Sequence, residues 1–104
     1  MSNIFDELPA GADEEIFTEL LSREGVRIER IVSTGQCTPT DKPHCQPHDE
    51  WVMLLAGSAG LRIEGESERN LRPGDHVLIG AYRPHWVTWT AKDEPTIWLA
   101  IHFR

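Results

Sequence analysis

The chain has 104 residues, 39% of them apolar, and a net charge of -7. That length suits one domain with a real hydrophobic core. Lys and Arg are scattered with no basic block, so the acidic balance argues against nucleic acid or an anionic membrane as a partner, and no run approaches the ~20 apolar residues needed to cross a bilayer. In chain order, Met1 to Glu7 lacks the basic start and apolar stretch of a signal peptide, so a cytoplasmic location is expected. Residues 13–22 predict a short helix. Asp13, Glu14 and Glu15 suit a helix N-terminus, Ile16, Leu20 and Leu21 recur at helical spacing, and Gly25 follows as a stop. This makes 1–25 an N-terminal extension and 26–104 the main domain. From Val26 onward the β-branched content favours a strand, although its two faces do not separate cleanly. Residues 35–43 have loop chemistry. Cys37 and Cys45 lack C-x-x-C spacing and read as free thiols. Strands follow at 50–56 and 61–64, separated by the turn 57–60, and residues 65–68 turn the chain again. Leu71 leads into the tight Pro73-Gly74-Asp75 turn. Further strands are expected at 76–79, at 85–90 with Trp86 and Trp89 on opposite faces, and at 96–103. Short strands with turns every ~8–12 residues, and no strand–helix alternation, predict an all-β sandwich or barrel.

Two stretches read as halves of one site. In the first, His44, Gln46, His48 and Glu50 fall at every second position, so an extended backbone puts them on one face. Pro47 has no N–H and favours an edge or a bulge, and a bulge there flips the parity beyond it. Glu50 stands directly before an apolar run. Burial of an unpaired carboxylate costs on the order of several kcal/mol, so Glu50 asks for a partner. A metal or His85, from the second stretch, is the simplest one. Blander readings stand beside these. His44 and His48 also suit a polar loop, His85 a satisfied core histidine, His76 the surface, and His102 the core or an interface. Trp51, Trp86, Trp89 and Trp98 suit core packing or a dimer interface, or the wall of a pocket that stacks a sugar or planar ligand. Tyr82 is placed to donate a proton at a pocket rim. The expected substrate pocket is Trp51, Tyr82, Trp89 and His102.

The spacing resembles the cupin superfamily. Its first motif, G-x5-H-x-H-x3–4-E-x6-G, falls on His44, Gln46, Glu50 and Gly57, with Thr38 where the leading glycine stands and Gln46 where the second histidine stands. Its second motif, G-x5-P-x-G-x2-H-x3-N, falls on Gly74, Gly80, Tyr82, His85 and Trp89, of which Gly74 and His85 match. The likeness runs over roughly residues 26 to 103, and the chain looks like a group of short bacterial cupins. It implies a jelly-roll β-barrel of two antiparallel sheets, here with one short N-terminal helix, and a homodimer. It also implies a divalent metal held by His44, Gln46, Glu50 and His85. Imidazole and carboxylate suit Fe, Mn, Ni, Cu or Zn. Gln46 is a weak neutral ligand, and His48 is the alternative to it.

Three functions remain open on the sequence. The first is a metal-dependent site acting on a small molecule, with dioxygenase- or isomerase-type chemistry and Glu50 as a general base. The second is a non-catalytic module that binds a small ligand or senses it, with no tightly bound metal. The third is a structural role in which the domain only pairs with a second copy. Fold alone does not choose among them.

Overall fold

The computed structural model describes residues 2–104. Among them are eight strands and no helix: β1 (Ile16–Arg23), β2 (Val26–Ser33), β3 (Asp49–Ala56), β4 (Ala59–Ile63), β5 (Arg69–Leu71), β6 (His76–Ile79), β7 (His85–Thr90) and β8 (Thr96–Phe103). They form two antiparallel sheets, a five-stranded one in the order β1-β2-β8-β3-β6 and a three-stranded one in the order β5-β4-β7. Alternation sets the core. Along β3, Glu50, Val52 and Leu54 are buried and their neighbours are half-exposed. Along β8, Trp98, Ala100 and His102 point the same way. Val52, Leu54, Trp98 and Ala100, with Val77 and Ile79, pack against Ala59, Leu61, Ile63 and Leu71 of the smaller sheet. Each fully buried aliphatic side chain contributes roughly 1.5–3 kcal/mol. Among the described residues no helix is long and apolar enough to cross a membrane, and Cys37 and Cys45 are free and exposed.

The expected helix at 13–22 is a strand. β1 pairs antiparallel with β2 through a hairpin that turns at Gly25, whose φ is +79°. Glu19 faces Glu29 and Leu21 faces Ile28, so Leu20 is an extra residue in a bulge. The bulge resets the strand's parity. Ile16 and Leu21 then share a face although they are five residues apart, and the four-residue spacing from Ile16 to Leu20 that suggested a helix ends on the bulged residue itself. The segment expected as an N-terminal extension therefore supplies a strand of the larger sheet.

The mixed pattern of β2 has a physical cause. Arg27, Glu29 and Ile31 face the space between the sheets, while Ile28, Arg30 and Val32 lie beneath the N-terminal segment. The buried Arg30 guanidinium donates to the carbonyls of Ile4 at 3.1 Å, Asp6 at 2.5 Å and Glu7 at 3.4 Å. Both faces are covered, so neither reads as purely polar. Arg30→Met is expected to loosen residues 3–8. Hydrogen bonds to a charged group contribute about 1.5–3 kcal/mol each, so amide exchange there, followed by mass spectrometry, should quicken about tenfold or more.

A second bulge changes the tryptophans. Gly60 pairs with Trp89 and Leu61 with Val87, which leaves Thr88 as the extra residue. Trp86 and Trp89 therefore share the outer face of the smaller sheet, and not opposite faces. Trp86 carries the Arg62 guanidinium 3.9 Å from its ring centroid.

Candidate functional site

A cavity of about 300 Å³ lies between the sheets. Val52, Leu61, Ile79, Val87 and Trp98 make it apolar on one side, and His44, Gln46, Glu50 and His85 make it polar on the other. Glu50 is the first inward residue of β3, paired with Ile79 of β6 and His102 of β8. His85 opens β7. His44 is held to His85 by two backbone hydrogen bonds, each of 2.9 Å. The Tyr82 N–H donates to the Gln46 carbonyl at 2.7 Å, and the Ala81 N–H donates to the Asp49 carboxylate at 2.9 Å. Segment 44–49 is thus fastened to turn 80–85, which brings the two motifs together.

Glu50 is 8% exposed and His85 is 5% exposed. The Gln46 amide donates to Glu50 Oε1 at 2.6 Å, and His85 Nε2 stands 3.6 Å from the same oxygen. The His85 Nδ1 lies 3.0 Å from the Arg83 carbonyl. A carbonyl only accepts, so Nδ1 carries the proton and Nε2 faces the cavity with its lone pair or a second proton. Burial alone raises the Glu50 pKa, but the facing His85, the nearby His102 and the Gln46 amide outweigh it and hold the carboxyl below its usual value. Burial lowers the His85 pKa, but Glu50 and the Arg83 carbonyl outweigh it and hold the imidazole above its usual value. The His44 ring stands with its centroid 5.5 Å from that of His85.

Among the described residues, no three His, Cys, Asp or Glu side chains already form a metal-binding group. The donors nonetheless suit one. His85 has its second nitrogen fixed by a carbonyl, as ligating histidines commonly do, and a buried carboxylate and an amide stand beside it.

His48 does not join this wall. The strand begins only at Asp49, and the stretch before it does not run as one extended face. The His48 Nε2 is 2.9 Å from His102 Nδ1, and His102 Nε2 is 2.8 Å from Glu29 Oε1. Burial, then the nearby His102 and Arg27, hold the His48 pKa below its usual value. Of the expected substrate pocket, His102 lines the cavity. Trp51 is on the outer face of its sheet, stacked on His76 with centroids 5.4 Å apart. Trp89 is on the outer face of the other sheet, donating to Asn70 at 3.3 Å. Tyr82 is 71% exposed and contributes its backbone, not its phenol. Sequence reasoning missed Glu15, Phe17, Arg27 and Glu29, which also line the cavity. Glu15 and Phe17 were hidden by the helical spacing. Polar Glu29 inside an otherwise β-branched strand was the one visible signal.

Residues 31–102 match the family described as Cupin domain. The chain is 47% identical to a protein of Ralstonia eutropha JMP134 provisionally named a mannose-6-phosphate isomerase, covering 99% of this chain and 96% of that one with a TM-score of 0.96. It is also similar to the dimethylsulfoniopropionate lyase DddQ of Ruegeria pomeroyi. The sequences are 43% identical over 42 residues, 40% of this chain and 21% of the lyase. The structures are 25% identical with a TM-score of 0.75, covering 88% of this chain and 48% of the lyase. The chain thus spans less than half of that relative. The match over most of the two sheets, and the meeting of both motifs at one cavity, make this chain a member of the cupin family.

Proposed function

We propose that this cupin holds a divalent metal and acts on a small organic molecule by isomerase- or lyase-type proton transfer. The observation that carries the reading is the buried Glu50–His85 pair, with Nδ1 of His85 fixed and Nε2 turned to the cavity. His44, Glu50 and His85 would hold the metal, one of Fe, Mn, Ni, Cu or Zn, with Gln46 as the neutral fourth donor. When bound, the ion supplies Lewis-acid polarisation of a substrate oxygen. Where the ion sits on His44, His85 and Gln46 and leaves the carboxylate free, Glu50 is the proposed proton acceptor: its partners keep it ionised, and the Gln46 amide fixes its orientation. The apolar floor excludes water from the reacting carbon. Likeness to the isomerase-named protein and to the lyase supports small-molecule chemistry. Elemental analysis of purified and reconstituted protein tests the metal, with His85→Ala as control. Stoichiometric metal in the wild type alone is expected, and no metal after reconstitution removes the reading.

The replaced histidine gives a second expectation. Gln46→His puts an imidazole where the amide stands, so divalent-metal affinity should rise on the order of tenfold. Competition with a fluorescent chelator measures it.

A binding or sensing module without tight metal is the second reading. Glu50 already has both His85 and Gln46 as partners, which favours it. Tryptophan fluorescence against metabolite pools, set beside turnover assays, separates the two. A homodimer is part of the proposal. Leu78, 60% exposed on edge strand β6, offers apolar surface for a second copy. Light scattering reads the mass.

A further inference from the structure

A second pocket of about 190 Å³ opens on the far side of His102. It forms where the β1–β2 hairpin turns and β8 ends, with the Arg104 N–H donating to the Gly25 carbonyl at 3.1 Å. Arg23, Arg27 and Arg104 meet there with His48 and His102, and the lining contains no Asp or Glu side chain. The chain has a net charge of -7 and ten Lys and Arg in all, so three arginines around one small pocket stand out against their surroundings. Arg23 Nη1 donates to the Ser22 carbonyl at 2.8 Å, and Arg27 Nε lies 3.8 Å from Glu29.

We propose that this pocket is an oxyanion subsite, which takes the phosphate or carboxylate of the small molecule on which the cavity acts. The proposal rests on the reading that the cavity takes a small molecule. Arg27 and His102 line both spaces. Arg27, His102 and Glu50 also stand in one row across β2, β8 and β3. Neighbouring strands are about 4.8 Å apart, so the row from Arg27 to Glu50 spans about 10 Å. That length suits a molecule with its anionic group several bonds from the reacting carbon. Glu15 and Glu50 of the cavity repel an anion, while Glu29, 2.8 Å from His102 Nε2 and 3.8 Å from Arg27 Nε, stands at the border between the two spaces. The charged end is therefore directed to the arginines and the neutral end to Glu50 and His85. Guanidinium groups suit both oxyanions because their paired N–H donors match two oxygens at once.

Calorimetric titration of inorganic phosphate and of acetate into chelator-treated protein at low salt tests this. Saturable binding is expected. Arg27→Gln and Arg104→Gln should each weaken it about tenfold or more, the loss that follows from one charged hydrogen bond. Arg23→Gln, at the exposed hairpin end, is the further pocket variant should either of these fold poorly. Arg69→Gln, whose partner is the distant Glu66, is the charge-matched control and should bind as the wild type does. Tighter phosphate assigns a phosphate-bearing substrate, and tighter acetate a carboxylate. Non-saturable binding of both, or equal weakening in Arg69→Gln and the pocket variants, overturns the subsite. The protein is metal-free in this experiment, so loss of the subsite leaves the metal reading standing, and absence of metal leaves the subsite standing.

Discussion

Replacing His85 by Ala should weaken divalent-metal binding by about 100-fold or more, beyond the roughly 10–100-fold that loss of an outer partner of a ligand costs. The metal-free protein should also lose about 3 kcal/mol, because Glu50 is left buried with Gln46 as its remaining close partner. The backbone bonds between His44 and His85 do not need the imidazole, so the fold should survive. Glu50→Gln combined with His85→Ala should recover part of the loss, since no buried charge then lacks a counterpart. The pH dependence follows from the two shifts. The His85 pKa is raised, so its contribution is complete below the ordinary histidine value of 6.5 and is lost as pH rises through the raised value. The Glu50 pKa is lowered, so its contribution is complete above the ordinary carboxylate value of 4.5 and is lost as pH falls through the lowered value. The metal-free wild type should gain most from the pair between those two ordinary values. The advantage of wild type over His85→Ala should shrink on either side. Metal binding differs: it weakens as pH falls through the raised His85 value, where the pair is gaining, because the proton on His85 Nε2 competes with the ion. Urea unfolding across pH, with and without metal, measures both effects. A pH-independent difference between wild type and variant would remove the ion pair from the account.

How much of this was legible depends on where the backbone keeps a strict period of two. β6, β7 and β8 fall where the alternation and turn chemistry put them, at 76–79, 85–90 and 96–103. Glu50 was legible because a carboxylate at the head of an apolar run must have a partner, and His85 and Gln46 are beside it. The misread parts share a cause. One extra residue, Leu20 in β1 or Thr88 in β7, flips every side chain beyond it. A bulge is decided by the partner strand, and a single sequence does not print the partner. His48 was misplaced for a related reason. The even spacing of 44, 46, 48 and 50 assumes extended chain, and the strand starts at Asp49. β2 looked patternless because the space between the sheets lies on one side of it and the N-terminal segment on the other.

Gly57→Ala should be among the most costly single-methyl changes in the chain, and Gly65→Ala isolates the reason. Gly57 has φ +86° and Gly65 has φ +85°, so an added Cβ meets the same left-handed backbone penalty at both, about 1–2 kcal/mol. Their surroundings differ. At Gly65 a Cβ meets nothing within 4 Å. At Gly57 it would stand 2.7 Å from Thr96 Cα and 2.8 Å from the Pro95 carbonyl oxygen. Those are backbone atoms at the start of β8. Thr96 is fully buried and donates to the Ser58 carbonyl at 3.1 Å, so it cannot simply swing aside. Overpacking of this kind adds about 1–3 kcal/mol, which puts Gly57→Ala at about 2–5 kcal/mol and Gly65→Ala at about 1–2 kcal/mol. Thermal and urea unfolding of the two variants give the comparison. Equal losses would mean that the approach of the 57–58 turn to β8 is soft. A larger loss at Gly57 would carry a second consequence. β8 holds Trp98 on the cavity floor and His102 on its wall, so a displaced Thr96 disturbs the cavity from behind. Ligand affinity should then fall in Gly57→Ala while Gly65→Ala binds like the wild type, although neither glycine lines the cavity.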